Sequence, residues 1–160
     1  MSDFDAKILS RLKSLEQEVE RLKTGERPKK AWTNYTPTWT AATTDPVLGN
    51  GNLTGRYTRI GKTVIGDIYL LMGSTTTYGS GAWYLSLPFS CASSSIRYGG
   101  SWAVVDAGTT NYAGSLFIVA GSSTVGFFAR DAGPNFFSSV QPHTWASGDS
   151  LFISFAYEVI

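Results

Sequence analysis

The feature that most constrains this chain is a heptad seam that stops after two heptads. Apolar residues fall at Ile8, Leu12, Leu15, Val19 and Leu22, in steps of four, three, four and three. With Ile8, Leu15 and Leu22 at position d, Leu12 and Val19 take position a. Position g is then Arg11 and Glu18, and position e is Leu9, Glu16 and Lys23. In a parallel bundle each g faces the following e of a neighbour, so Arg11 meets Glu16 and Glu18 meets Lys23, both attractive. A helix docked on its own chain needs no such matching, so parallel self-association is the expectation and docking on the rest of the chain the alternative. Leu at d with Val at a leans towards a dimer. Arg11-Leu12-Lys13-Ser14-Leu15-Glu16 instead fits the short trimerisation pattern Arg-apolar-x-x-apolar-Glu, and the trimer is preferred.

The helix is expected to start at Ser2 or Asp3, whose side chains can cap it, and to end at Thr24–Gly25, with Pro28 barring continuation. That length gives a stalk of roughly 33 Å. Five buried apolar side chains do not outweigh the cost of ordering so short a helix, so the stalk is marginal alone. Composition changes abruptly after it. Residues 1–30 hold eight Lys/Arg and six Asp/Glu, while the other 130 residues hold five and six. The expected organisation is a coiled-coil stalk over 1–27, a neck over 28–34 and a head over 35–160.

The head reads as all-β. From Trp32 onward, short β-branched and aromatic runs alternate with Gly/Ser/Asn/Pro clusters. Strands are expected near 36–40, 53–60, 62–72, 82–88, 96–105, 112–119, 124–129 and 150–159. Turns are expected at Gly49-Asn50-Gly51, Gly61-Lys62, Gly79-Ser80-Gly81, Gly99-Gly100, Gly121-Ser122 and Asp131-Ala132-Gly133-Pro134. Eight short strands at this spacing predict a β-sandwich, jelly-roll-like. Strands 62–72 and 151–160 are apolar on both faces apart from a few positions such as Asp67, which is unusual in a small antiparallel sandwich. Contact between the heads of a homotrimer through one of these strands is the expected reason.

Tyr35-Thr36-Pro37-Thr38-Trp39-Thr40, Pro46-Val47-Leu48-Gly49-Asn50-Gly51, Leu53-Thr54-Gly55-Arg56-Tyr57 and Arg59-Ile60-Gly61-Lys62-Thr63-Val64 follow in order. This series resembles the opening of β-rich modules in tail fibre and receptor-binding (minor tail) proteins of phages infecting Gram-positive or actinobacterial hosts. The resemblance covers residues 35–72. It implies a homotrimeric virion surface protein used in attachment, with the stalk end meeting other virion proteins. A purely structural capsid decoration or tail ornament is the alternative. The virion location goes with synthesis in the host cytoplasm, since MSDFDAKILS lacks the layout of a signal peptide.

Chemistry-bearing patterns are sparse. Net charge is +1, with 16% charged residues, so no basic face for nucleic acid is expected. No apolar run is long enough to insert in a membrane. The one cysteine, Cys91, excludes an intrachain disulfide and reads as a small buried hydrophobe; no metal or cofactor is expected. The one histidine, His143, lies in a Pro-containing loop and reads as structural. The head's carboxylates are Asp45, Asp67, Asp106, Asp131, Asp149 and Glu158. Glycoside hydrolysis would need two of them about 5–10 Å apart; nothing selects Asp67 with Asp106, and Asp131 and Asp149 read as turn residues. The expectation is a non-enzyme. Candidate contacts for a cell-wall carbohydrate are Trp83, Tyr84, Tyr98, Trp102, Asn111 and Tyr112, each weighed against core packing. Because Trp83 and Tyr84 are adjacent on a strand, only one of them can enter a given core.

Overall fold

The computed structural model describes residues 3–23, 31–93, 96–108, 110–128 and 136–160. The chain divides into two units, Met1–Lys30 and Ala31–Ile160. In the first, helix α1 spans Asp3–Lys23, with Asp3 and Asp5 in its first turn and Arg21 and Lys23 in its last. Those charges complement the helix dipole. None of its residues is buried. The seam side chains are all exposed, from 43% for Ile8 to 64% for Leu22. Pairs within the helix join Lys7 to Asp3 at 3.0 Å, Arg21 to Glu18, and Lys23 to Glu20 at 4.0 Å. The C-cap at Gly25, Pro28 and the neck lysines Lys29 and Lys30 lie outside the described residues, as does the turn at Asp131–Pro134.

Among the described residues the second unit has nine strands: β1 (Thr33–Tyr35), β2 (Trp39–Ala41), β3 (Asn52–Ile60), β4 (Thr63–Leu71), β5 (Trp83–Ser86), β6 (Tyr98–Val105), β7 (Asn111–Ile118), β8 (Thr124–Phe127) and β9 (Ser150–Glu158). The first begins inside the segment that the sequence assigns to the neck, and the strand expected at 36–40 is largely the link between β1 and β2. Every pairing is antiparallel, in the order β1-β3-β4-β9-β6-β7-β8-β5-β2. The protein is thus mostly β with one N-terminal helix. In place of the two sheets of a jelly-roll-like sandwich, the strands form one continuous order.

That order forces the sheet to curl. A flat sheet would hold β1 and β2 roughly 38 Å apart, at about 4.8 Å per strand. Only Thr36, Pro37 and Thr38 separate them in the chain, a reach of roughly 14 Å. The edges therefore come together. Ser86 of β5 donates its N–H to Thr38 O at 3.0 Å, Thr38 N–H donates to Ser86 Oγ at 2.8 Å, and Tyr35 donates its hydroxyl to Ser86 O at 3.3 Å.

The curl encloses one core. Alternation turns Val64, Ile68 and Leu70 of β4 and Leu151, Ile153, Phe155 and Tyr157 of β9 inward, where each is nearly fully buried. Trp39, Trp83, Trp102, Trp145 and Phe137 fill the centre. Trp39 meets Trp83 edge-on at 4.7 Å, and Trp102 meets Phe137 edge-on at 4.6 Å. Gly114 lets the Trp102 indole lie against its backbone, since a Cβ there would sit 2.6 Å from Cζ2. The β3–β4 turn is two residues long, with Gly61 at φ 61°, the left-handed geometry such hairpins need.

Candidate functional site on the outer face of the sheet

The residues that alternation leaves outside form a single face across β1, β3, β4, β9, β6 and β7. Register fixes how they line up. One rank, running across the strands, reads Asn34–Arg56–Asp67–Ser154–Ser101–Ser115. The neighbouring rank reads Thr54–Tyr69–Phe152–Ala103–Ala113. The first is polar throughout; the second places two aromatic rings beside two alanines.

The polar rank is tied together at its centre. Arg56 donates Nε to Asp67 Oδ2 at 3.0 Å, its Nη2 lies 2.9 Å from the same oxygen, and Ser154 Oγ donates to Asp67 Oδ1 at 2.9 Å. The Arg56 guanidinium also lies over the Trp32 ring, 4.5 Å from its centroid. This pair is partly exposed, 55% for the Arg56 side chain and 34% for Asp67. In the adjacent rank Tyr69 and Phe152 pack with centroids 5.0 Å apart, and Phe152 remains 45% exposed. Asn34, Thr36, Thr54, Arg56, Tyr69 and Phe152 border an open groove of about 790 Å³. On the inner side of β1, burial pushes the Tyr35 phenol well above the ordinary tyrosine range, and the Tyr157 phenol adds to the shift.

A second polar cluster lies where the segments after β6 and before β9 meet. Asp149 is 1% exposed. Its Oδ1 accepts from Ala107 N–H at 2.9 Å, and its Oδ2 accepts from Ala146 N–H at 2.8 Å and lies 2.9 Å from His143 Nε2. A carboxylate only accepts, so His143 Nε2 carries the proton. Tyr112 stacks on the imidazole at 5.2 Å and Trp145 packs at 4.5 Å. Asp106, which accepts from Gly108 N–H at 3.1 Å, brings a third potential metal ligand within 4.8 Å of the other two. Both oxygens of Asp149 are already committed to N–H donors, so the arrangement pins loops together. Asp149 closes the turn that Gly148 marks in the sequence, its N–H donating to Ala146 O at 3.2 Å, and its side chain is in addition a buried hydrogen-bond hub.

The structure separates the residues proposed from sequence for carbohydrate contact. Trp83 and Trp102 are core residues, 1% and 3% exposed. Their indole N–H groups are spent inside, Trp83 on Tyr78 O and Trp102 on Ser115 O and Phe128 O. Neither ring has a face left for a sugar. Tyr84, next to Trp83 on β5, is half-buried, as alternation requires. Tyr98 and Tyr112 sit at opposite ends of the β6–β7 pair, opposite Ile118 and Val104. Tyr98 donates to Glu158 Oε2 at 3.0 Å, Tyr112 stacks on His143, and Asn111 is exposed. These residues form no common site. Asp67 and Asp106 are likewise apart, since Asp67 pairs with Ser154 while Val105, before Asp106, pairs with Ser150, an offset of roughly 17 Å along the strands. Cys91 is buried and its thiol is pushed up by that burial.

A curled antiparallel sheet with an aromatic and polar outer face defines the class, a mostly β module. The comparison with known proteins is narrower. The chain is similar to the Mu-like prophage FluMu defective tail fiber protein of Haemophilus influenzae (strain ATCC 51907 / DSM 11121 / KW20 / Rd), 34% identical over 113 residues that make up 70% of this chain. It spans 18% of that relative's length. A phage tail fibre is therefore what most of this chain resembles. The narrower assignment to phages of Gram-positive or actinobacterial hosts gains no support from that relative. No protein-family model matches the chain, and no solved structure matches it.

Proposed function

We propose that the chain is a trimeric module of a phage tail fibre, joined through α1, that presents its β head to carbohydrate on the host cell surface. The observation that carries this reading is the similarity to a tail fiber protein over 70% of the chain. The exposed seam of Ile8, Leu12, Leu15, Val19 and Leu22 supports the trimer, because five apolar side chains on one stripe gain nothing from water and much from copies of themselves. Arg11, Glu16, Glu18 and Lys23 flank that stripe at g and e positions. In the assembled trimer Glu18 exchanges its Arg21 partner on the same helix for Lys23 of a neighbour, at small net cost for exposed pairs. The end of the stalk meets other virion proteins in this arrangement, and the head faces outward.

Light scattering of the full chain tests the assembly, with three times 17.3 kDa expected. Leu15→Asp places a charge in the middle d layer and should lower the mass towards one or two chains at micromolar concentration. A stable monomer of the unaltered chain would end the trimer reading. Labelled protein on host cells tests attachment: binding without release of sugar fragments supports it. Absence of binding, with retained capture by virion proteins, favours a structural ornament.

A further inference from the structure

We infer that the ligand-binding surface of the head is the outer face of β3, β4, β9 and β6, and that it takes an extended oligosaccharide lying across the strands; the inference rests on the carbohydrate-binding reading above. The argument starts from the two ranks. Carbohydrate rings offer apolar C–H faces edged by hydroxyls, so a site for them needs aromatic faces beside donors and acceptors. The Tyr69–Phe152 pair supplies the first and the Asn34–Arg56–Asp67–Ser154 rank supplies the second, one pleat away on the same face. The charges in the polar rank are already neutralised against each other at 2.9–3.0 Å, which suits neutral hydroxyls better than an ionic ligand. Asn34 and Thr54, both exposed, have no side-chain hydrogen bond to another described residue and are available.

Shape points the same way. Beyond Phe152 the face continues over Ala103 and Ala113, and beyond Ser154 over Ser101 and Ser115. These small side chains leave the outer face of the curl unobstructed beyond the aromatic pair. The polar rank crosses six strands, roughly 24 Å at about 4.8 Å per strand, room for several sugar rings. The groove of about 790 Å³ forms one end of this track, within the size range of small-ligand sites. A second copy of the chain, the other candidate for this face, would have to cover the exposed Arg56–Asp67 pair and the polar rank beside it.

The test is binding of the full-length protein to an array of purified bacterial surface polysaccharides, including lipopolysaccharide O-chains and capsular and cell-wall glycans. Phe152→Ala and Tyr69→Ala should each weaken binding about tenfold, the loss of one ring face, with unchanged light-scattering mass. Ser101→Trp removes no existing contact and raises an obstacle in the middle of the track, and it should weaken binding at least as much. Retained binding in all three variants overturns the assignment of this face while leaving carbohydrate recognition by the head intact. No binding to any array member by the unaltered protein overturns both. A fall in oligomer mass for Phe152→Ala assigns the face to a neighbouring copy and overturns the oligosaccharide.

Discussion

Asp67 and Asp149 each hold three polar contacts, and they do opposite things. Asp149 is 1% exposed and takes two backbone N–H groups and His143 Nε2 from segments that follow β6 and precede β9. Asp67 is in mid-strand on an open face and takes side chains only, Arg56 and Ser154. The difference is in what each partner could do instead. The Asp149 carboxylate is itself buried and ties His143 to the backbone N–H groups of two loop residues, Ala107 and Ala146, so it is part of the fold. The donors around Asp67 have water beside them and can exchange, which is what a ligand-binding group requires. The number of hydrogen bonds does not distinguish a site from a structural hub; burial and the kind of donor do.

The comparison breaks most readily at Asp149. Asp149→Ala removes the acceptor of two loop N–H groups and leaves the nearly buried His143 Nε2–H unpaired, and a buried orphan costs about 1–3 kcal/mol. The expected loss is about 1–3 kcal/mol, read as a drop in urea midpoint at unchanged m. Asp149→Asn keeps an acceptor but points an NH₂ group at donors, and should recover only part of the loss. If Asp149→Ala unfolds within about 1 kcal/mol of the unaltered protein, the cluster is not a hub.

Alkaline pH probes the buried side in a second way. Burial pushes the Tyr157 phenol up to about 12, from an ordinary value of 10.0, while the Phe89 N–H facing its oxygen pulls the other way. The folded-state value lies above the unfolded one. Below pH 10 the phenol is neutral in both states and its contribution is intact; between about 10 and 12 the unfolded chain ionises first and stability falls. The loss amounts to at most about 2–3 kcal/mol. Tyr35 shifts in the same direction, also by burial. Tyr157→Phe should flatten, without abolishing, the fall in denaturation midpoint across that window. An unchanged slope would mean that the phenol is already solvated in the folded state.

How much of this is legible in the sequence depends on distance along the chain. The two-residue turn at Gly61-Lys62 fixes Ile60 opposite Thr63, and counting outward from it places Arg56 opposite Asp67 without any structure. That half of the outer face is legible. The other half is not, because β9 joins β4 from over 80 residues away and its register has no local signal. Apolar residues on both faces of strands 62–72 and 151–160 mark that surface in the sequence. Two of the aromatic candidates from sequence, Trp83 and Trp102, lie in the core for a related reason. Trp83 and Trp102 have the composition of a sugar platform, and only their direction, set by non-local pairing, makes them core. Phe152 is hidden within a hydrophobic strand, although alternation alone puts it opposite to Ile153.

The smallest expected effect is the one that best sharpens the comparison, at Asp67. Asp67→Asn removes the charge that Arg56 meets, but Arg56 is 55% exposed and retains the Trp32 face and water. Exposed ion pairs contribute about 0–1 kcal/mol, and the amide oxygen of the substituted side chain can still accept from Arg56 and Ser154. Stability should therefore change by less than about 1 kcal/mol, and the change should shrink further in 1 M salt, where screening acts within roughly 3 Å. The same urea titration used for Asp149 measures it, so the two carboxylates are compared on one scale. A loss at Asp67 as large as that at Asp149 would show that Arg56 depends on its carboxylate partner for the fold. The outer polar rank would then be a structural brace, with no groups free to exchange for a ligand.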